Sequence, residues 1–102
     1  IEIPSTMVSI GKNAFSRCEN LKSISIPPDV NSIGEKAFAT CFSLETVRIE
    51  AVNPPLFNDI FSECPRLKKI EVPSASVKKY KKADGWKNYA AIIVEIDLHG
   101  FY

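Results

Sequence analysis

At 102 residues, with 45% hydrophobic and 25% charged side chains, the chain has the make-up of one ordinary globular domain, near the low end for burying an adequate core. Thirteen basic residues against twelve acidic leave a net charge of +1, which argues against a dedicated nucleic-acid or anionic-membrane surface, since either needs a clear basic excess. No apolar run approaches the roughly 20 residues of a membrane span, and no signal-peptide pattern opens the chain.

Taken in order, Ile1 and Ile3 read as the inward side chains of a strand end, with Glu2 outward and Pro4 stopping the pairing. Residues 5–10 cross to the other side, with Met7 and Ile10 as the predicted inward anchors. A short helical turn is predicted around Lys12–Cys18, because Ala14, Phe15 and Cys18 share a face at i, i+1 and i+4. Leu21, Ile24 and Ile26 then lead into a short strand closed by Pro27-Pro28.

This unit recurs every 23 residues. Phe15, Phe38 and Phe61 keep that spacing, as do Cys18, Cys41 and Cys64, and Leu21, Leu44 and Leu67. So do Ile24, Val47 and Ile70, and Ile26, Ile49 and Val72. Upstream of each Phe, Ile10, Ile33 and Leu56 keep step, with Ala14, Ala37 and Ile60. A period of this length marks a solenoid, whose units bury their apolar faces only against neighbouring units. The third unit drifts at Asn53-Pro54-Pro55-Leu56-Phe57, where Phe57 stands in place of the earlier glycine. Ile1-Glu2-Ile3-Pro4 aligns with Ile24-Ser25-Ile26-Pro27, so the chain reads as a piece of a longer array with an exposed apolar edge at its start. That edge is a candidate for self-association.

After Val72-Pro73 the motif stops. Ser74 is the predicted N-cap of a helix near 75–83, with Val77, Tyr80 and Ala83 on one face and Gly85 as its stop. Trp86 and Tyr89 predict a second helical turn. Ile92, Val94, Ile96 and Leu98 alternate with Ile93, Glu95, Asp97 and His99 as a closing strand. The expected organisation is repeats over 1–73, a C-terminal cap over 74–98 that covers the last apolar end, and a tail over 99–102.

Ile-Gly-x-x-Ala-Phe-x-x-Cys-x-x-Leu-x-x-Ile-x-Ile-Pro resembles the BspA-type leucine-rich repeat of bacterial cell-surface proteins, closely over residues 10–27 and 33–49 and in the second half only over 56–73. The tail with Val77, Tyr80, Trp86 and Tyr89 is similar to segments that close such arrays, so the resemblance runs from residue 1 to about residue 96. It implies an α/β solenoid, a right-handed leucine-rich repeat array of short parallel strands and short helical turns. It also implies a non-enzymatic protein, secreted or displayed on a bacterial surface, that adheres to host matrix or cell-surface proteins. The family offers no catalytic residues to carry over.

The chemistry-bearing residues support the same reading. Three cysteines in a column raise a metal or redox possibility, but parallel Cβ vectors disfavour disulfides and no His or carboxylate column completes a zinc set. Buried thiols packing on Phe and Leu is the preferred reading. His99 has no partner pattern for nucleophilic catalysis, and four scattered glycines make no phosphate loop, so neither a catalytic site nor a cofactor is expected. Lys78, Lys79, Lys81, Lys82 and Lys87 offer charge to an anionic surface, but read first as the solvated face of the cap helix.

Strand alternation names the surface candidates. With Ile24 and Ile26 inward, Ser23 and Ser25 face out, and their equivalents are Thr46 and Arg48, then Lys69 and Glu71. Phe42, where the equivalents are Glu19 and Pro65, is a candidate exposed anchor. A protein-binding module and a structural spacer within a larger surface protein are the competing functions. Carbohydrate binding ranks lower, because the sheet face lacks aromatics beside carboxylates.

Overall fold

In the computed structural model, which describes residues 3–57 and 59–96, the 23-residue period becomes the register of a parallel sheet. The elements in chain order are β1 (Ser9–Ile10), β2 (Ser23–Ile26), β3 (Ser32–Ile33), β4 (Thr46–Ile49), β5 (Lys69–Val72), a 3₁₀ turn (Ser74–Ser76), α1 (Val77–Lys82), a 3₁₀ segment (Trp86–Ile92) and β6 (Ile93–Glu95). The order β2-β4-β5-β6 forms one four-stranded sheet, and β1-β3 forms a second, narrower one. Ile24 stands beside Val47, Val47 beside Ile70, and Ile70 beside Ile93, so every coil returns to the sheet after the same number of residues. The strand end read at Ile1 and Glu2, and the strand positions Asp97, Leu98 and His99, lie outside the described residues.

Period-two alternation puts Ile24, Ile26, Val47, Ile49, Ile70 and Val72 in the core. Across from the sheet, Phe15 and Phe38 stack with centroids 5.2 Å apart and planes 6° from parallel, and Phe38 stacks on Phe61 at 6.1 Å. The middle coil is the best covered. Phe38, Cys41 and Leu44 are fully buried, whereas Phe15, Cys18, Leu21, Cys64 and Leu67 are only half-buried. Burial thus depends on having a coil on both sides, and each fully covered large side chain contributes about 1.5–3 kcal/mol.

Four expectations are corrected. The segment Lys12–Cys18 is not a helical turn. Asn13, Lys36 and Asp59, 23 residues apart, have φ of 58°, 56° and 49°, and Arg17, Thr40 and Glu63 have φ of 63°, 60° and 56°. A left-handed residue at each of two positions four apart breaks the helical path, and every second amide points along the stack to the next coil instead of up a helix. Asn13, Phe15 and Arg17 donate to the carbonyls of Glu35, Ala37 and Ala39 at 3.0, 2.7 and 2.8 Å, and Phe38 and Thr40 to those of Ile60 and Ser62 at 3.1 and 2.8 Å. The turn side therefore has its own hydrogen-bonded ladder.

Met7 is 37% exposed, so Ile10 alone anchors that stretch. Leu56 is 70% exposed, and it bridges Ser32 where a 23-residue count would place its neighbour. Pro54-Pro55 lengthens the approach by one residue, and Phe57 turns inward against Phe61, Trp86 and Tyr89, with centroids 6.1, 5.1 and 5.7 Å away.

The cap departs from expectation in phase. Ser74 makes no side-chain cap bond; the helix opens at Val77, ends at Lys82, and Ala83 is its extended C-cap. In β6 it is Ile93 that enters the core and Val94 that faces out, because Ile93 takes the place after Ile70 in the sheet. Although the motif stops at Val72, the coil length does not.

Three side-chain hydrogen bonds to backbone carbonyls fasten the cap to the drifting third coil. Ser76 Oγ donates to Val52 O, Tyr80 Oη to Ala51 O and Trp86 Nε1 to Pro55 O, each at 2.7 Å. Tyr80 and Trp86 are buried edge to face at 5.2 Å, and these bonds satisfy polar atoms whose unpaired burial would cost about 1–3 kcal/mol each. Gly85, at φ 79°, turns the chain against Phe57 where a Cβ would fall 2.6 Å from the Phe57 Cβ.

Candidate sheet-face interaction site

The outward positions of β2, β4 and β5 assemble as strand alternation requires. Ser23, Thr46 and Lys69 stand in one row, and Ser25, Arg48 and Glu71 in the next. Ser23, Ser25 and Lys69 are exposed, and Thr46 and Arg48 half-buried. Glu71 differs from its neighbours: it faces outward but is 7% exposed. Arg48 lies across it, donating from Nε to Glu71 Oε1 at 3.2 Å, and Val94 flanks it in register on the other side. An acid so covered is held by its pairing, which satisfies the carboxylate and fixes the guanidinium plane.

The serines leave room beside that pair. Ser23, Ile24, Ser25, Thr46, Arg48 and Glu71 line an open depression of about 450 Å³. Its chemistry is three hydroxyls, which donate or accept, and an arginine whose Nε is already spent on Glu71 while its terminal N–H groups remain as donors. At its margin Ser25 Oγ donates to Glu50 Oε1 at 3.2 Å. Lys69 stands in the first row but does not line the hollow, and Phe42, 46% exposed, lies on the turn before β4 and away from it. Two neighbours of the site were missed in the sequence: Glu50, and Val94, which is the fourth member of the Ser25–Arg48–Glu71 row. Adding one more period to Glu71 would have found Val94.

The other chemistry-bearing residues sort differently. Cys41 Sγ donates to Phe15 O at 3.2 Å and Cys64 Sγ to Phe38 O at 3.0 Å, so each thiol bonds to the preceding coil. Burial pushes the Cys41 and Cys64 thiols up from their ordinary value, which disfavours the thiolate needed for nucleophilic or metal chemistry. All three cysteines are free, and among the described residues no group of three His, Cys, Asp or Glu is placed to hold a metal ion. Lys78, Lys79, Lys81 and Lys82 form the exposed face of α1 opposite buried Tyr80, with Lys79 Nζ donating to Asn53 Oδ1 at 3.3 Å and Lys87 near Asp84 at 3.9 Å. His99 lies outside the described residues. Among those residues, no helix is long and apolar enough to cross a membrane.

The family model described as "BspA type Leucine rich repeat region (6 copies)" matches residues 1–83, stopping at the end of α1 and short of the 3₁₀ segment and β6. No curated protein matches the chain. Repeats of this family serve in general as protein-interaction modules, are typically non-enzymatic and are generally associated with bacterial surfaces. Parallel strands in one 23-residue register, stacked phenylalanines and a matching family model lead to one assignment: the chain belongs to the BspA-type leucine-rich repeat family.

Proposed function

We propose that this chain is the binding part of an adhesin-type protein, secreted or held at a bacterial cell surface. In this reading a right-handed solenoid presents its sheet face to a host matrix or cell-surface protein. The observation that carries the reading is the hollow beside Arg48, where an oriented guanidinium and the hydroxyls of Ser23, Ser25 and Thr46 stand open on a rigid sheet. Rigid donors lose little entropy on docking, which favours recognition over a merely solvated face. Lys69 at the rim would set the approach of the partner and Arg48 the register.

The test is a titration of the chain against purified host matrix proteins, beside a Ser23→Glu/Lys69→Glu variant, both positions being exposed and outside the Arg48–Glu71 pair, of unchanged thermal stability. Saturable binding that weakens at least tenfold in the variant supports the reading. Saturable binding indifferent to the variant would move the site elsewhere.

The alternative is a structural spacer within a larger surface protein. Small side chains over half the face and an Arg48–Glu71 pair already satisfied internally favour it. A spacer would bind none of the matrix proteins and would leave adhesion of the whole protein unaltered by the same substitutions.

A further inference from the structure

We propose that the outer edge of β6, with the lysine face of α1 beside it, is a second docking site, and that its occupant is an extended acidic segment of a partner protein. The edge comes first. In the order β2-β4-β5-β6, β6 has a neighbour on one side only among the described residues. Ile96 N–H donates to Val72 O at 2.9 Å, so by the alternation of a parallel strand the groups of Val94 and Ile96 point at β5, and those of Ile93 and Glu95 point away. Ile93 N–H is taken by Ala90 O. What the edge offers is the carbonyl of Ile93 and both the N–H and the carbonyl of Glu95, a pattern that pairs with another extended backbone.

A groove runs along that edge. Ser74, Val77, Lys78, Lys81, Ile93 and Val94 line it together with Glu95, and it encloses about 620 Å³. Val77 and Val94, the latter 40% exposed, give it an apolar floor. Its charge is lopsided. Lys78 and Lys81 on the groove, and Lys82 beside them, make no ion pair among the described residues, whereas Lys79 and Lys87 are engaged with Asn53 and Asp84. Helix α1 carries four lysines and no carboxylate, and Glu95 is the acid on the groove. A strand added here would place alternate side chains over Val77 and Val94 and against the lysines. Acidic side chains at those second positions satisfy the charge; basic ones are repelled. A second copy of this chain fits less well, since the turns of its first coil bring Lys12, Arg17 and Lys22 as well as Glu19. The groove adjoins the sheet-face hollow, since Val94 stands beside Glu71, but shares none of its lining residues and does not depend on it.

The test uses two synthetic peptides, acetylated and amidated, of alternating Val-Glu and alternating Val-Lys. Each is titrated into the isotopically labelled protein while amide shifts and hydrogen exchange are followed. The Val-Glu peptide is expected to shift the amides of Glu95, Lys78 and Lys81 and to slow exchange of the Glu95 amide about tenfold. The Val-Lys peptide should do neither. A Lys78→Glu/Lys81→Glu variant with an unaltered melt should invert that preference. Three results would overturn the proposal: no response of Glu95 to either peptide, an equal response to both, or a Glu95 amide already protected in the free protein because residues 97–102 cover the edge.

Discussion

Replacing Lys36 by glycine decides whether the turn side of each coil is built as described. Lys36 is exposed and holds φ at 56° inside the turn that Ala37 N–H closes on Gly34 O at 3.1 Å. For a side-chain-bearing residue this left-handed conformation costs roughly 1–2 kcal/mol, and glycine adopts it freely. Against that gain stands the extra backbone entropy of glycine in the unfolded chain, about 0.5–1 kcal/mol. No side-chain partner is lost to complicate the difference, because Lys36 makes no ion pair among the described residues. The net expectation is a stabilisation of about 0.5–1 kcal/mol, or roughly 2–8 °C in Tm for a domain of this size. If residues 34–41 were a helical turn, the same glycine would destabilise by up to about 1 kcal/mol. Urea melts of the two proteins, read by far-ultraviolet circular dichroism, separate the cases by sign alone. A Lys36→Gly variant less stable than the parent would refute the left-handed turn at Lys36 and the ladder built on it.

Two further predictions rest on single features. A Cβ added at Gly34 would run into the backbone of the preceding coil, 2.6 Å from Gly11 C, whereas one added at Gly11 meets nothing within 4 Å. Gly34→Ala should therefore cost about 1–3 kcal/mol by forcing stacked coils apart, and Gly11→Ala should be near neutral in the same melts. In alkali, burial raises the Cys41, Cys64, Tyr80 and Tyr89 pKa values in the folded protein above their ordinary 9.0 or 10.0. The unfolded chain then ionises first, so stability is fully present below about pH 9 and is lost as pH rises further. A urea midpoint that rises between about pH 8 and 10.5 would contradict that sign.

The apolar columns made the stack readable before any coordinates. Phe15, Phe38 and Phe61, and the Ile24 and Ile26 columns, have one side-chain character because each rung must bury against the next. Such a pattern says which face is buried and leaves backbone handedness open. The i, i+1, i+4 grouping of Ala14, Phe15 and Cys18 is met equally by a helix and by turns with a left-handed residue at Asn13 and at Arg17. The signal lay in Asn13 and Asp59, residue types that tolerate positive φ, standing at the same repeat position as Lys36. Leu56 was misplaced because a fixed count ignores the residue absorbed by Pro54-Pro55, and Phe57 then became the anchor of the cap. The β6 phase was misread for the opposite reason. The motif had ended, yet the geometric requirement to return beside Ile70 after 23 residues persisted. Of the candidate site, the two outward rows were legible from alternation. The burial of Glu71 was not, since it follows from where Arg48 and Val94 lie rather than from residue type.

In the function proposed above, the sheet face, and not the turn face, meets the partner. A photo-crosslinking residue, benzoylphenylalanine, placed at Ser25 or at Lys36 in otherwise identical chains, tests this on the purified matrix protein that binds in titration. Crosslinks from the Ser25 position and none from the Lys36 position are predicted. Crosslinks from the Lys36 position alone would place recognition on the turn ladder and rule out the sheet face.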